Sequence, residues 1–595
     1  MVSVARIIPP PKPQRNATHY HVALEGVLSR RFMAALKFVS FVGYGAFLML
    51  ALIRDRDMGY ISWLFGVYFI PVLIGLFVVL VMRKVKMLLH VDNLTYPNAI
   101  TSFLSRTVKS TVFVRVYSVY LASAFVYYAV YKSWMGNMSV TVPLRAFGKS
   151  ILNERYIYFT LFSIYVATLY SGLHLFLDYG HLKFRIQAMD IPARKRLMDR
   201  FGDLTTVTVF YAVFATMTFP IVYFIFRSSI WGWCVYFGRF IFDLHRTNAY
   251  GKSPLGIRIL LDSLLSSFVL VWLWEVTNTA FSVYMSLQPR HNGQFISERS
   301  ANKNETLVIG LSDKARPLTR TMAFQELWSI ALNSKERRIS IYSDIEHNAA
   351  AGSSCWEKVQ RECLVVINDV VNNLTIKPAA QPQQPQQVSH LNAETNSVLS
   401  VKHDESIFAA NKGASSNRRF IENFQDKQAQ QSQDFIGTVG RLWNVVQKWL
   451  EKYSQVTKKL LATPLGYPFR CTVERRINAI VPNPLLVHCA TLSLSRFVVQ
   501  SLEEDQYGIV HRHIPDILMD LDKLLTLTEN FIQNPPRHWT DVRTDEPDLS
   551  VLRHVHEIAE EAFENIVDRF HTYFKGVPLS DEVQKRIRKV QGLYY

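Results

Sequence analysis

Five cysteines (Cys234, Cys355, Cys363, Cys471, Cys489) form an odd set with no CxxC pair and no metal-like spacing. That excludes a disulfide framework and a zinc site by spacing, and reads four of them as reduced thiols of a cytosolic or nuclear compartment, with Cys234 beside the membrane. No GxxxxGK[ST], GxSxG or HExxH occurs, and no GxGxxG follows a strand, so phosphate-loop, hydrolase-elbow, metalloprotease and dinucleotide chemistry lack their usual signatures. No cofactor is called for. Beyond Leu287 no apolar run is expected to cross a bilayer, and there is almost no net charge. Of the formal +18, the residues up to Leu287 carry 29 Lys and Arg against 12 Asp and Glu, leaving 37 against 36 for the rest. The excess lies in loops beside lipid headgroups, so membrane lipid is an expected partner and direct nucleic-acid binding is not.

What is present is a row of apolar runs. A helix rises about 1.5 Å per residue, so roughly 20 apolar residues cross the hydrocarbon core. Five runs meet that length: Phe32 to Ile53, Tyr60 to Met82, Thr111 to Tyr131, Tyr156 to Leu177 and Thr205 to Phe226. A sixth lies within Ile257 to Leu287, where Arg258, Asp262 and Glu275 leave two frames. The preferred frame ends at Trp272 and Trp274 in the headgroup belt, with Glu275 in water. The alternative runs from Leu264 to Leu287 and needs a partner for Glu275 near mid-membrane. Ile230 to Phe242 is short, carries Arg239, and reads as interfacial or re-entrant.

The first run follows a 31-residue tail and is too long for a cleaved signal core, so it is expected to be a signal anchor. Lys and Arg number sixteen on the N-terminal side of the expected topology against ten on the other, which predicts a cytosolic N-terminus and, after six crossings, a cytosolic C-terminal half. The expected fold is all-α: six transmembrane helices (residues 32–287, after a cytosolic tail 1–31) followed by a mainly α-helical soluble C-terminal domain.

That domain is interrupted. Residues 377–434, centred on PAAQPQQPQQ, cannot bury enough apolar surface to offset ordering entropy and read as a disordered linker between a proximal part (288–376) and a distal part (435–595). In the proximal part, helical spacing covers Pro317 to Asn333 and Ser354 to Asn372, while Leu307 to Leu311 and Ile339 to Tyr342 leave room for short extended pieces only. In the distal part, helices are predicted over Gly437 to Leu461, Pro484 to Leu502, Ile514 to Ile532 and Leu549 to Phe574. The first gathers Leu442, Trp443, Val446, Trp449, Leu450 and Tyr453 on one face, the pattern either of a packed helix or of one lying on a membrane surface or a partner.

Candidate chemistry in the membrane half is sparse. His174, Asp178 and His181 cluster at the end of the fourth run but lack a fourth ligand nearby, and interfacial anchoring explains them better than metal binding. A polytopic endoplasmic reticulum or nuclear envelope transporter or enzyme using Asp262, Glu275 or His174 is the alternative function. A transporter, however, is expected to carry ionisable groups or matched helix breaks within its spans, and Pro220 is a lone kink.

Specific residues appear where the halves join. Trp272-Leu273-Trp274-Glu275-Val276-Thr277-Asn278 leads through Phe281, Val283, Tyr284 and Met285 to Gly310-Leu311. Ala323-Phe324-Gln325-Glu326-Leu327, Arg337-Arg338-Ile339-Ser340-Ile341-Tyr342, Trp356 and Cys363-Leu364 follow. This order behind six spans resembles the nuclear division cycle family of transmembrane nucleoporins, and a fungal member in particular. The resemblance covers the whole architecture, with its specific motifs between about Ser263 and Ile367. It implies a non-enzymatic scaffold of the nuclear pore membrane with both termini on the cytosolic face. Implied partners are other pore-membrane nucleoporins, inner-ring scaffold nucleoporins and, in fungi, spindle pole body components. Within the motif, Trp274, Glu275 and Asn278 are candidates for coupling the last span to the tail. Phe324, Glu326, Leu327, Arg337, Arg338 and Trp356 are candidates for partner contact or core packing, with Arg337 and Arg338 equally placed to cap a helix end.

Overall fold

Apolar helices of this length must satisfy their own backbone groups, and a computed structural model shows an almost wholly helical chain. It describes residues 19–54, 68–85, 98–134, 138–143, 150–242, 244, 254–345, 354–375, 459–542, 547–574 and 579–592, apart from 109, 183, 185, 187–190, 292, 537 and 539. The chain divides into two compact units. The first holds Met1–Thr375, Cys471–Arg537 and Pro547–Tyr595; the second holds Ile376–Arg470 and His538–Glu546.

In the first unit the membrane bundle comprises α1 (Tyr20–Arg54), α2 (Phe69–Val85), α3 (Ala99–Val108), α4 (Ser110–Trp134), α5 (Glu154–Phe176), α6 (Ala193–Ile241) and α7 (Ile257–Met285). Six described helices are long and apolar enough to cross a membrane: α1, α4, α5, α6, α7 and, in the tail, α13 (Pro484–Glu504). The helix α13 passes this test because protein covers most of it: Leu485, Ala490, Leu494, Phe497 and Val498 are buried, and so are Ser493 and Ser495, while Arg496 is exposed. The second expected span is described from Phe69 as α2.

Two features of the bundle correct the sequence reading. Ile230 to Phe242 is not a separate interfacial or re-entrant piece. It continues the fifth span in a single helix of 49 residues, α6. Such a helix is about 73 Å long against a hydrocarbon core of about 30 Å, so it projects well past the bilayer. Arg239 looked like a stop because charge is costly in lipid, yet the helix continues through it to Ile241. Glu154, in the first turn of α5 where a carboxylate suits the helix dipole, receives Arg227 of α6 through two bonds of 2.6 and 2.8 Å. Beyond that pair, Trp231 and Val235 pack on Leu152 and Leu244, next to a ribbon of β1 (Thr141–Pro143) and β2 (Ser150–Leu152). The second correction is the frame of the last span: α7 runs unbroken to Met285, with Trp274 and Glu275 buried rather than at a wet boundary.

After α7 a tight hairpin, β3 (Arg290–His291) with β4 (Gln294–Phe295), turns the chain at Gly293, whose φ of 82° a side chain would resist. The tail then forms α8 (Lys303–Ser312), α9 (Pro317–Asn333), α10 (Lys335–Ser343), α11 (Cys355–Thr375), α12 (Val473–Ile480), α13, α14 (Ile514–Gln533), α15 (Ser550–Phe570) and α16 (Asp581–Val590). Leu307 to Leu311 and Ile339 to Tyr342, expected as extended pieces, lie in α8 and α10. Their β-branched and aromatic residues satisfy strand propensity locally, but burial of Leu307, Leu311, Ile341 and Tyr342 on one core overrides it. Helix starts are legible. Ser354 and Glu357 form a reciprocal capping box on α11, each bond 3.3 Å, and Asn483 accepts from the Leu486 N–H ahead of Pro484 at the first position of α13.

Proximal and distal tail segments share one core. Trp356 of α11 lies 6.1 Å from the Tyr342 ring and 5.8 Å from that of Phe497, and Tyr342 Oη donates to the Phe497 carbonyl at 2.7 Å. In the second unit, Arg470 donates to the Leu461 and Thr463 carbonyls at 2.6 and 3.0 Å, bracing the short turn Pro464–Phe469. Residues 377–434 and Leu442, Trp443, Val446, Trp449, Leu450 and Tyr453 lie outside the described residues.

Candidate functional site: the membrane-to-tail junction

Among the described residues three helices belong to two cores at once, α2 through Leu80 alone and α1 and α7 through several side chains. The residues Val39, Phe47 and Leu50 of α1 pack in the membrane bundle, whereas Tyr20, Leu24, Val27, Leu28 and Phe32 pack in the tail core. At 35 residues α1 is about 52 Å long, so its first turns stand clear of the hydrocarbon and are taken up by the soluble domain. Likewise α7 places Val269, Leu273 and Trp274 in the bundle, then Phe281 and Met285 in the tail core. The helical start at Tyr20 was not visible as an apolar run, because the residues before Phe32 meet protein rather than lipid.

The polar core of the junction is Glu326. Its carboxylate accepts from Tyr20 Oη at 2.8 Å, from the Ile296 N–H at 3.2 Å and from the Ser297 N–H at 3.1 Å, tying α1 and the segment after β4 to the middle of α9. Burial pushes this carboxyl up to about 7, opposed by the hydrogen bonds from Ser297 and Tyr20 and by Arg337. Close approach of α1 depends on Gly310: a Cβ there would lie 2.7 Å from Tyr20 Cγ and 3.0 Å from Ala323 Cβ.

The paired arginines face inward. Arg337 donates to Asn304 Oδ1 at 2.8 Å and to Ser297 Oγ at 3.2 Å. Arg338 grips Glu504 of α13 with bonds of 2.9 and 2.7 Å and caps the end of α9 through the Ala331 carbonyl at 3.0 Å. Both are buried, so of the two roles weighed for them, the structure places Arg338 at a helix end and neither at an open surface. Phe324, Leu327 and Trp356 are fully buried. The thiols of Cys355, Cys363 and Cys489 are pushed up by burial, that of Cys355 to about 12, which keeps them protonated and unreactive.

Trp274, Glu275 and Asn278 hold α7 to other spans. Trp274 Nε1 donates to Ser123 Oγ at 3.0 Å, and its indole meets the Tyr120 and Tyr170 rings at 5.0 and 4.8 Å. Asn278 Nδ2 donates to Tyr120 Oη at 3.0 Å and Tyr170 Oη at 3.1 Å; Tyr170 in turn donates to Glu275 Oε1 at 3.0 Å. Tyr120 also bonds His174 Nδ1 at 3.0 Å, so His174 is a buried member of this network and not an interfacial anchor. The contact of α7 with the tail is made further along, at its last turn. Three arginines converge there: Arg31 of α1 donates to the Leu287 carbonyl at 2.9 Å and to that of Gln288, Arg83 of α2 to Ser282 Oγ at 2.9 Å, and Arg196 of α6 to the Ser286 carbonyl at 3.4 Å. Cations at a helix C-terminus oppose its negative dipole end. Sequence reading counted these arginines as loop charge; nothing local marks them as partners of a helix end up to 257 positions away.

The family description Nucleoporin protein Ndc1-Nup matches residues 26–588. The chain is 26% identical over 457 residues to "Nuclear envelope protein ndc1" of Schizosaccharomyces pombe, covering 73% of each chain. It is 24% identical over 633 residues to "Nucleoporin NDC1" of Chaetomium thermophilum, covering 96% of each, and 21% identical to "Nucleoporin NDC1" of Mus musculus, covering 74% of this chain and 76% of the mouse protein. With a match that takes in the bundle, the junction and nearly all of the tail, the chain belongs to the Ndc1-Nup family of nucleoporins.

Proposed function

We propose that the protein is a structural, non-catalytic component of the nuclear pore membrane, holding a helical platform at a fixed pose on the nuclear envelope. The observation that supports this most directly is the sharing of α1 and α7 between the membrane core and the tail core. A flexibly tethered enzyme domain needs no such continuity, whereas a scaffold that must transmit position does. The ionisable groups that an enzyme or transporter reading would use are engaged in packing: Glu275 and His174 are buried and bonded to tyrosines of neighbouring spans.

On this reading both ends of the chain face the cytosol and pore, in keeping with the distribution of Lys and Arg over the loops. The platform meets other pore-membrane nucleoporins and inner-ring scaffold nucleoporins, and in a fungal cell it also serves insertion of the spindle pole body. Restriction to one membrane raises the effective concentration of the platform for these neighbours. Proximity labelling from a C-terminal fusion in intact cells tests the reading: nuclear pore and spindle pole body neighbours are expected. Labelling confined to proteins of the perinuclear lumen would overturn it.

A further inference from the structure

A cleft of about 440 Å³ opens at the membrane end of the junction, between α1, the end of α7 and the residues leading into α6. It is lined by Val27, Arg30, Arg31, Ala34, Ile191, Pro192, Tyr284, Leu287, Gln288 and Arg290. Its make-up is two-sided. Arg31 is buried at its inner side, where it is held by the Leu287 and Gln288 carbonyls, while Arg30 and Arg290 are exposed. The other wall is apolar, formed by Val27, Ala34, Ile191 and Tyr284. No acidic residue is among those that line it.

Its depth is set by the same helix that sets the junction. Arg30 and Arg31 immediately precede Phe32, where the apolar run of α1 begins, and Ala34 lies two residues, about 3 Å, inside it. The cationic part of the cleft therefore stands at headgroup level, with Ala34 and Tyr284 on its hydrocarbon side and Val27 on its tail side. Guanidinium groups are the side chains best suited to phosphate, through forked hydrogen bonds, and basic pockets between spans are a recurring way of holding anionic headgroups.

We propose that this cleft binds an anionic glycerophospholipid, its phosphate between Arg30, Arg31 and Arg290 and the start of an acyl chain along Ala34 and Tyr284. The site lies where α1 and α7 pass from the bundle to the tail, so a bound lipid would bridge bilayer and junction. This does not depend on the nucleoporin reading, only on α1 crossing a bilayer from Phe32.

Native mass spectrometry of the full chain, released from micelles containing equal phosphatidic acid and phosphatidylcholine, tests the site. The wild-type chain is expected to retain phosphatidic acid preferentially. Joint Arg30→Gln and Arg290→Gln substitution should reduce that adduct by roughly tenfold or more and leave phosphatidylcholine adducts unchanged. Ala34→Phe, which fills the apolar wall, should also reduce it. Equal retention of the two lipids, or adducts indifferent to the arginine changes, overturns the proposal. Displacement of phosphatidic acid by millimolar inorganic phosphate, with Ala34→Phe silent, would make this an anion subsite and also overturn it. Arg31 is left intact in every variant because it caps α7. Should the doubly substituted chain fail to fold, Arg290→Gln alone gives the same readout.

Discussion

Tyr20 Oη and Glu326 Oε2 lie 2.8 Å apart, joining the first turn of α1 to the middle of α9 across 306 positions of sequence. Around this bond the membrane anchor and the soluble tail become one body, and the first two predictions concern it.

Gly310→Ala should loosen the start of α1. The added methyl falls against Tyr20 Cγ and 3.0 Å from Tyr20 Cβ, which no side-chain rotation moves, so the helix itself must shift. Overpacking of this kind costs about 1–3 kcal/mol. Hydrogen exchange is expected to rise over residues 20–31 with little change in α4 or α5. Combining it with Tyr20→Ala should give a smaller loss than the two single changes summed, because both act at the same contact. Strict additivity would separate Gly310 from the docking of α1.

Glu326→Gln should flatten the pH dependence of that docking. A carboxyl held near 7 in the folded chain, above its ordinary 4.5, binds a proton more tightly folded than unfolded. Its contribution is therefore full below about 4.5 and is lost as pH rises through about 7. The wild-type thermal midpoint, taken relative to that of Glu326→Gln, is expected to fall between these values. A difference that does not vary with pH would show that the carboxylate is ionised throughout.

Trp274→Ala should destabilise the bundle more than the tail. The indole is fully buried among Tyr120, Tyr170 and Ser123, and removing it leaves a cavity costing about 3–5 kcal/mol. Lower thermal stability of the detergent-solubilised chain is expected, with faster exchange in α4 and α7. Trp274→Phe keeps most of the volume, loses the bond to Ser123, and should fall between the two.

Arg338→Ala should cost about 3–5 kcal/mol, since it strands Glu504 as a buried, unpaired carboxylate. Replacing both residues by leucine should recover much of that loss. Limited proteolysis of the tail reads the difference: the single variant is expected to be cut faster than the double. The reverse order would mean that the α9 capping bonds, and not the ion pair, dominate.

Elements whose signal is periodic or set by length were legible in the sequence: the apolar runs and the helices from Pro317, Ser354 and Pro484. What escaped depends on partners distant along the chain. Glu275 invited a wet frame because the tyrosine that donates to it, Tyr170, lies on α5, 105 positions away. The apolar side chains of residues 20–31, among them Leu24, Val27 and Leu28, are interrupted by polar ones and do not register as a span; the tail core covers them instead of lipid. In α8 and α10 a few β-branched and aromatic residues outweighed, on paper, a burial pattern that exists only once the core has formed. The motif around Glu326 was singled out by family resemblance, but the reason for a carboxylate there, three donors converging from the chain's beginning and from the turn after α7, belongs to the folded structure alone.

Because α1 is shared, the chain meets a problem of timing during its synthesis. Glu326 is made 306 residues after Tyr20. At typical elongation rates that is a wait of roughly 15 to 60 s. Throughout this interval the leading turns of α1 carry Leu24, Val27 and Leu28 without the cover they are shaped for, so insertion of the anchor precedes, and must outlast, the arrival of the domain that completes it.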